Sequence, residues 1–214
     1  MTTPETSRDS PSLRERRAQL TRDEILRAAR RLFAERGYAR TSVREIARAA
    51  GVSAQTVYDS VGSKQALVSR LNDLIDSEAD ITGIARAAAE SGDPEELAAA
   101  PARITRSILE RCGDIVHALV TGATAEPELA AVLAEGSRRH VEGARGIVGM
   151  LRRLDALDPA LDPDDAVQTL AAVSDIRFAI VLRDGYGWPL DRLEAWMVAT
   201  SRTLLLPRAA GGRG

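Results

Sequence analysis

The side chains able to do covalent or metal chemistry are few in this chain of 214 residues: one cysteine, Cys112, and two histidines, His117 and His140. Cys112 and His117 are five apart and fall on nearly opposite sides of a helix, so they cannot chelate a metal locally. No glycine loop for cradling phosphate, no Gly-x-Ser-x-Gly elbow and no paired-histidine metal motif occurs. These absences argue for no catalytic residue, no bound metal and no cofactor. The cations are more informative. Lys64 is the single lysine among 29 basic residues. It follows Ser63 at the expected start of a helix, where the macrodipole disfavours an ammonium. A nearby phosphate would account for it, with helix amides helping to hold the anion; chance placement is the alternative.

Charge distribution points the same way. The whole chain carries a formal net charge of −2. Residues 1–66 hold 13 basic and 8 acidic groups, a net of +5, and the remainder holds 16 and 23, a net of −7. A positive head on a negative body suits a protein that presents one end to a polyanion. Aromatic residues make up only 3%, too few for stacking platforms along a single strand. With no signal-like N-terminal segment, no apolar run long enough to span a bilayer and one cysteine, the expected setting is the cytoplasm, with no membrane partner.

The elements that must position these groups follow from caps and periodicity. Residues 1–20, rich in Ser, Thr, Pro and charge, are expected to form a disordered basic arm, from which Arg14, Arg16 and Arg17 can reach a groove. A first helix is expected from Thr21, with Glu24 completing a capping box and Ile25, Ala28, Ala29, Leu32 and Phe33 forming its apolar stripe, up to Gly37. Ser42 with Glu45, or Thr41 one residue earlier, caps a second helix that buries Val43, Ile46, Ala47 and Ala50. Gly51 turns the chain, and Ser53 caps a third helix reaching about Val61. Ser63 then opens a fourth, with Leu67, Leu71, Leu74 and Ile75 on one face. Two short helices locked across a glycine turn by Val52 and Val57, with small Ala47 at their approach, are the pattern of a helix-turn-helix. A purely structural helical corner is the alternative.

The run from Thr41 to Tyr58 and on through Lys64 to Leu67, together with Phe33, Gly37 and Tyr38 in and after the first helix, resembles the DNA-binding domain of the TetR family of repressors. The resemblance implies an all-α fold, with a three-helix helix-turn-helix domain over 21–67, a larger helical effector-binding and dimerisation domain over 68–206, and a flexible tail over 207–214. It lays the third helix in the major groove of double-stranded operator DNA. Ser53, Ala54, Gln55, Thr56 and Asp59 would then face the bases; Gln55 can bond an adenine edge, and Ala54 and the Thr56 methyl can meet a thymine methyl. By the same resemblance Thr41, Tyr58 and Lys64 contact phosphates, beside Ser42 and Arg44 at the start of the second helix. Thr41 as a mere cap and Tyr58 as a cover for the core are the alternatives. Two departures stand out: Val61 replaces a usual aromatic, predicting looser packing, and Asp59 sets a carboxylate near phosphates, where it either takes a cytosine amino hydrogen or pairs with an arginine.

The remaining two-thirds reads as helices near 94–110, 114–123, 126–154, 163–184 and 189–206, broken by prolines and glycines. Leu170, Val173, Phe178 and Val181 on one of the last two, and Leu193, Trp196, Met197 and Leu204 on the other, resemble the family's dimerisation helices and predict a homodimer built on a four-helix bundle. An apolar pocket for a small-molecule effector is implied, with Cys112, His117, His140, Asp175, Arg177 and Phe178 as candidates to line it. The function expected is a regulator that represses from a palindromic operator as a dimer and is released by that effector. The alternative is a constitutive DNA-binding regulator, or an activator, that takes no ligand.

Overall fold

The computed structural model describes residues 12–207. All regular structure among them is helical: α1 (Leu13–Arg36), α2 (Val43–Ala49), α3 (Ala54–Ser60), α4 (Lys64–Glu78), α5 (Ile81–Ser91), α6 (Pro94–Gly122), α7 (Pro127–Arg153), α8 (Pro163–Val173), α9 (Ile176–Ile180), a π-helical turn (Val181–Gly185) and α10 (Leu190–Leu205). The chain divides into two compact units between Leu67 and Val68, within α4.

In the first unit, α1 begins eight residues earlier than the expected Thr21. Ser12 accepts from the Glu15 amide while Glu15 returns a carboxylate to the Ser12 amide, a complete capping box. Leu13–Leu20 consists of good helix formers, so nothing interrupts the helix before Gly37. Thr21 lies inside it, its hydroxyl donating to the Arg17 carbonyl at 3.0 Å. Arg14, Arg16 and Arg17 therefore stand on an exposed helix face instead of a disordered arm; residues 1–11 of that expected arm, and 208–214 of the expected tail, lie outside the described residues. Gly37 (φ 79°) and Gly51 (φ 68°) adopt backbone conformations that side chains oppose, which lets α1 end and α2 turn sharply into α3. The core is Ile25, Ala29, Leu32 and Phe33 from α1, Ile46 and Ala47 from α2, Val57 from α3, and Leu67. Val61 is also buried. Tyr38 packs on Phe33, ring centroids 5.4 Å apart.

The second unit is built around α6, which packs against α5, α7 and α10, while α8 joins α7 to α10. The run Ala98–Ala102 of α6 is buried, Pro101 included; such small residues let neighbouring helices approach closely. The expected break at Gly113 is a local distortion instead: Cys112 leaves helical geometry (φ −130°, ψ 17°) and α6 continues to Gly122. Conversely, the single helix expected over 163–184 is broken. Ser174 ends α8, and the Asp175 carboxylate caps α9 by accepting from the Arg177 amide. Both residue types compete with helical backbone bonding. α5, between Asp80 (φ 51°) and Gly92 (φ 64°), has no counterpart among the expected elements.

Candidate nucleic-acid interface and candidate effector cavity

The first unit presents α2 and α3 through their caps. Ser42 caps α2 in a reciprocal box with Glu45, and its amide and hydroxyl hold the Glu45 carboxyl below the usual range. Ser53 caps α3 by accepting from the Thr56 amide at 3.0 Å, and its hydroxyl lies 2.8 Å from the Thr56 hydroxyl. A serine at each N-terminus spends its side chain on orphan amides, and so fixes where each helix starts.

Of the residues expected at DNA, Ser42, Arg44, Ser53, Gln55, Tyr58 and Asp59 are exposed, and Ala54 and Thr56 are half-buried. Tyr58 is 52% exposed, far from a core-covering role. Gln55 donates to Asp59 at 2.8 Å, one turn along the same face. That bond lets Asp59 orient the Gln55 amide, a partner that neither expected alternative for Asp59 named. Lys64 stands at the start of α4 with its ammonium 3.9 Å above the Tyr38 ring, so a cation–π contact accounts for part of its placement.

Thr41 is a correction. It is 2% exposed, and its hydroxyl lies 2.9 Å from the Gly37 carbonyl and 3.3 Å from the Leu32 carbonyl. It ties the end of α1 to the start of α2 from inside, with its hydroxyl spent on these carbonyls instead of facing solvent. The cap is Ser42, one residue later.

Within the second unit a cavity of about 490 Å³ opens between α4, α5, α6 and α7 and the α8–α9 junction. Most of its wall is apolar, including Ile75, Ile104, Ile108, Leu119, Ile147 and Met150. Polar groups enter from α7 and the α8–α9 junction. His140 Nε2 lies 2.9 Å from the Ala171 carbonyl; Thr105 donates to the Ser174 carbonyl at 2.8 Å, and Ser174 to the Leu170 carbonyl at 2.7 Å. Arg139 pairs with Asp76 at 2.6 Å. Asp175 pairs with Arg177 at 2.6 Å. Burial opposes the Asp175 charge, yet hydrogen bonds from the Arg177 side chain and amide, and its charge, hold the carboxyl below its ordinary value.

Only two of the six expected effector residues, His140 and Asp175, line this cavity. Cys112 is fully buried elsewhere, its sulfur 3.6 Å from a Glu78 carboxylate oxygen. His117 faces Asp184 at 3.8 Å on an exposed surface. Arg177 serves the cavity only through Asp175, and Phe178 is 40% exposed on the outside. Asn72, Thr105 and Arg139 were not legible as lining residues, because no local pattern sets one isolated polar residue of a helix apart from another. Among the described residues no group of three or more His, Cys, Asp or Glu could hold a metal, and no helix is long and apolar enough to cross a membrane.

The residues expected at a dimer interface separate into two sets. Leu170, Leu193 and Met197 are completely buried within the subunit and belong to its own core. Phe178, Val181 and Leu204 are exposed by 40–50%, beside the exposed Tyr186. Phe178 and Trp188 both pack against Trp196, with ring centroids at 5.7 and 6.0 Å. Val173 and Trp196 are half-buried.

The described residues thus form a helix-turn-helix unit followed by a separate helical unit with an apolar cavity. Residues 25–71, which span most of the helix-turn-helix unit and the start of α4, match the model for bacterial regulatory proteins of the tetR family. Solved structures agree in fold. NalD, the secondary repressor of the MexAB-OprM multidrug efflux pump in Pseudomonas aeruginosa, is 24% identical, with 91% of this chain and 100% of that one covered at a TM-score of 0.72. SmeT, solved as a complex with triclosan, is 18% identical over 89% of this chain and 94% of its own, at 0.73. PfmR from Thermus thermophilus is 23% identical over 94% and 100%, at 0.59. No curated protein matches the chain.

Proposed function

We propose that the protein is a dimeric repressor that binds a palindromic operator through α3 and is released by an apolar small molecule held in the second unit. The observation that carries the reading is the pairing of an exposed α3, with Gln55 and Tyr58 outward, and an apolar cavity of about 490 Å³. Gln55 can read an adenine edge, while Ser42, Arg44, Tyr58 and Lys64 contact phosphates and set the register without reading sequence. The cavity volume lies in the range of small-molecule sites, and its few polar groups suit orientation more than charge recognition. NalD is a repressor and SmeT binds triclosan; both roles are carried to this chain as part of the proposal.

Dimerisation through α9, the π-helical turn and α10 belongs to the same reading. Four of the chain's seven aromatic residues, Phe178, Tyr186, Trp188 and Trp196, fall in this stretch. Phe178 and Tyr186 are exposed, as are Val181 and Leu204, while Trp188 and Trp196 lie half-buried; exposed apolar side chains of this kind mark interfaces. A dimer must offer its two α3 helices to successive major grooves about 34–36 Å apart. An effector that changes that separation releases DNA, and by linkage DNA weakens effector binding by the same factor.

Selection of duplexes from a random library by the purified protein tests the proposal. The expected product is a palindrome with half-sites one helical turn apart, released by an apolar ligand. Recovery of no shared sequence would refute operator reading; an operator that no cavity-binding ligand releases would favour the constitutive regulator.

A further inference from the structure

Among the buried polar residues that line the cavity, Asn72 alone makes no hydrogen bond to a described residue, and the half-buried Arg139 has its Nε without a hydrogen-bond partner as well. Of the buried polar side chains that line it, Thr105 and Ser174 are satisfied by backbone carbonyls. Asn72 of α4 is 8% exposed, and its carboxamide makes no hydrogen bond to any described residue. Its Oδ1 faces Gly136 of α7, where an added Cβ would lie 3.9 Å away. A carboxamide carries two donor hydrogens and an acceptor oxygen. The amide atoms are reached from the cavity instead of being sealed in the core, so an occupant can take the place of water on them.

We infer that Asn72 is the specificity-determining residue of the cavity, selecting an apolar ligand that carries a neutral hydrogen-bonding group such as a hydroxyl or carbonyl. The inference rests on the reading of this cavity as the effector site. Neutrality follows from the surroundings. The charged residues that line the cavity, Asp76, Arg139 and Asp175, are each engaged with an opposite charge, Asp76 with Arg139 and Asp175 with Arg177. A ligand carboxylate or ammonium would enter an apolar space with no free counter-charge, and burying an unpaired charge is strongly unfavourable. A hydroxyl or carbonyl can exchange its water bond for one to Asn72, and an isostere lacking it leaves the amide unpaired.

Calorimetric titration of the full chain with naphthalene, 2-naphthol and 2-naphthoate tests this, beside Asn72→Leu and Asn72→Ala. The wild type is expected to bind 2-naphthol at least tenfold tighter than either of the others. Both variants should bind 2-naphthol no better than naphthalene; Ala cannot overfill the site, which guards against a packing defect in the Leu variant. Equal binding of naphthalene and 2-naphthol by the wild type would overturn the role of Asn72 while leaving the cavity as a ligand site. A preference that survives in both variants would overturn it as well. Binding of none of the three would remove the cavity reading and the inference together.

Discussion

Replacing Thr41 by valine separates an internal tie from a phosphate contact, because the two roles predict opposite results. Valine keeps the shape of threonine and removes only the hydroxyl, which donates to the carbonyls that close α1, 2.9 Å from Gly37 and 3.3 Å from Leu32. A buried hydrogen bond of this kind is worth about 1 kcal/mol, towards the low end of the range because the Leu32 carbonyl also belongs to the helix ladder. For a chain that melts as one unit this lowers Tm by about 2–4 °C, and by about 4–8 °C if the first unit melts alone. At 25 °C the variant remains folded, so its Kd for the selected operator should stay within about twofold of wild type. Loss of a hydrogen bond to a charged phosphate would instead cost about 1.5–3 kcal/mol of binding, a weakening of tenfold or more. Scanning calorimetry and fluorescence anisotropy on the same preparation decide the matter. A tenfold weaker Kd with Tm unchanged would refute the structural role of Thr41.

Other consequences are equally open to measurement. Asp59→Asn removes a carboxylate from the face proposed to meet DNA while leaving an acceptor for Gln55; affinity for random duplex should rise severalfold, and a loss confined to the operator would show that Asp59 reads a base. Lys64→Gln should reduce the slope of log K against log salt by about 0.9; an unchanged slope would show that Lys64 meets no phosphate. Val181→Glu combined with Leu204→Glu places charges on the exposed apolar face and should yield monomers in sedimentation velocity, with operator binding lost; a persistent dimer would move the interface elsewhere. Asp175 has its carboxyl held below the ordinary 3.8 in the folded chain. Its stabilising contribution is therefore complete above that value and disappears as pH falls through the folded one. Acid titration of unfolding should show a component absent from Asp175→Asn; identical profiles would contradict the pairing with Arg177.

The α2–α3 region was legible because serine caps and a glycine turn are local devices: Ser42, Gly51 and Ser53 act on amides and dihedrals within three residues of themselves. The same local logic misplaced the start of α1, since Ser12–Glu15 and Thr21–Glu24 carry equivalent patterns and only the earlier one lies at a helix end. The break at Ser174–Asp175 escaped notice because the apolar periodicity runs on through it. What sequence could not supply was which neighbour covers an apolar stripe. Leu193 and Met197 of α10 face the subunit's own core, while Leu204 of the same helix is left outside. The cavity depends on such packing, with Asn72, Thr105 and Ser174 drawn together from three separate helical segments.

The most direct test of the account is the affinity of the protein for its selected operator and for a scrambled duplex across a salt series, beside Gln55→Ala and Tyr58→Ala. Both side chains are exposed on α3 and carry none of the core, so folding is preserved. The account predicts that wild type prefers the operator, with affinity for both duplexes falling as salt rises. Gln55→Ala should reduce that preference by about 1–3 kcal/mol, while Tyr58→Ala weakens both duplexes alike. Equal wild-type affinity for the two duplexes, or a preference untouched by Gln55→Ala, would contradict it.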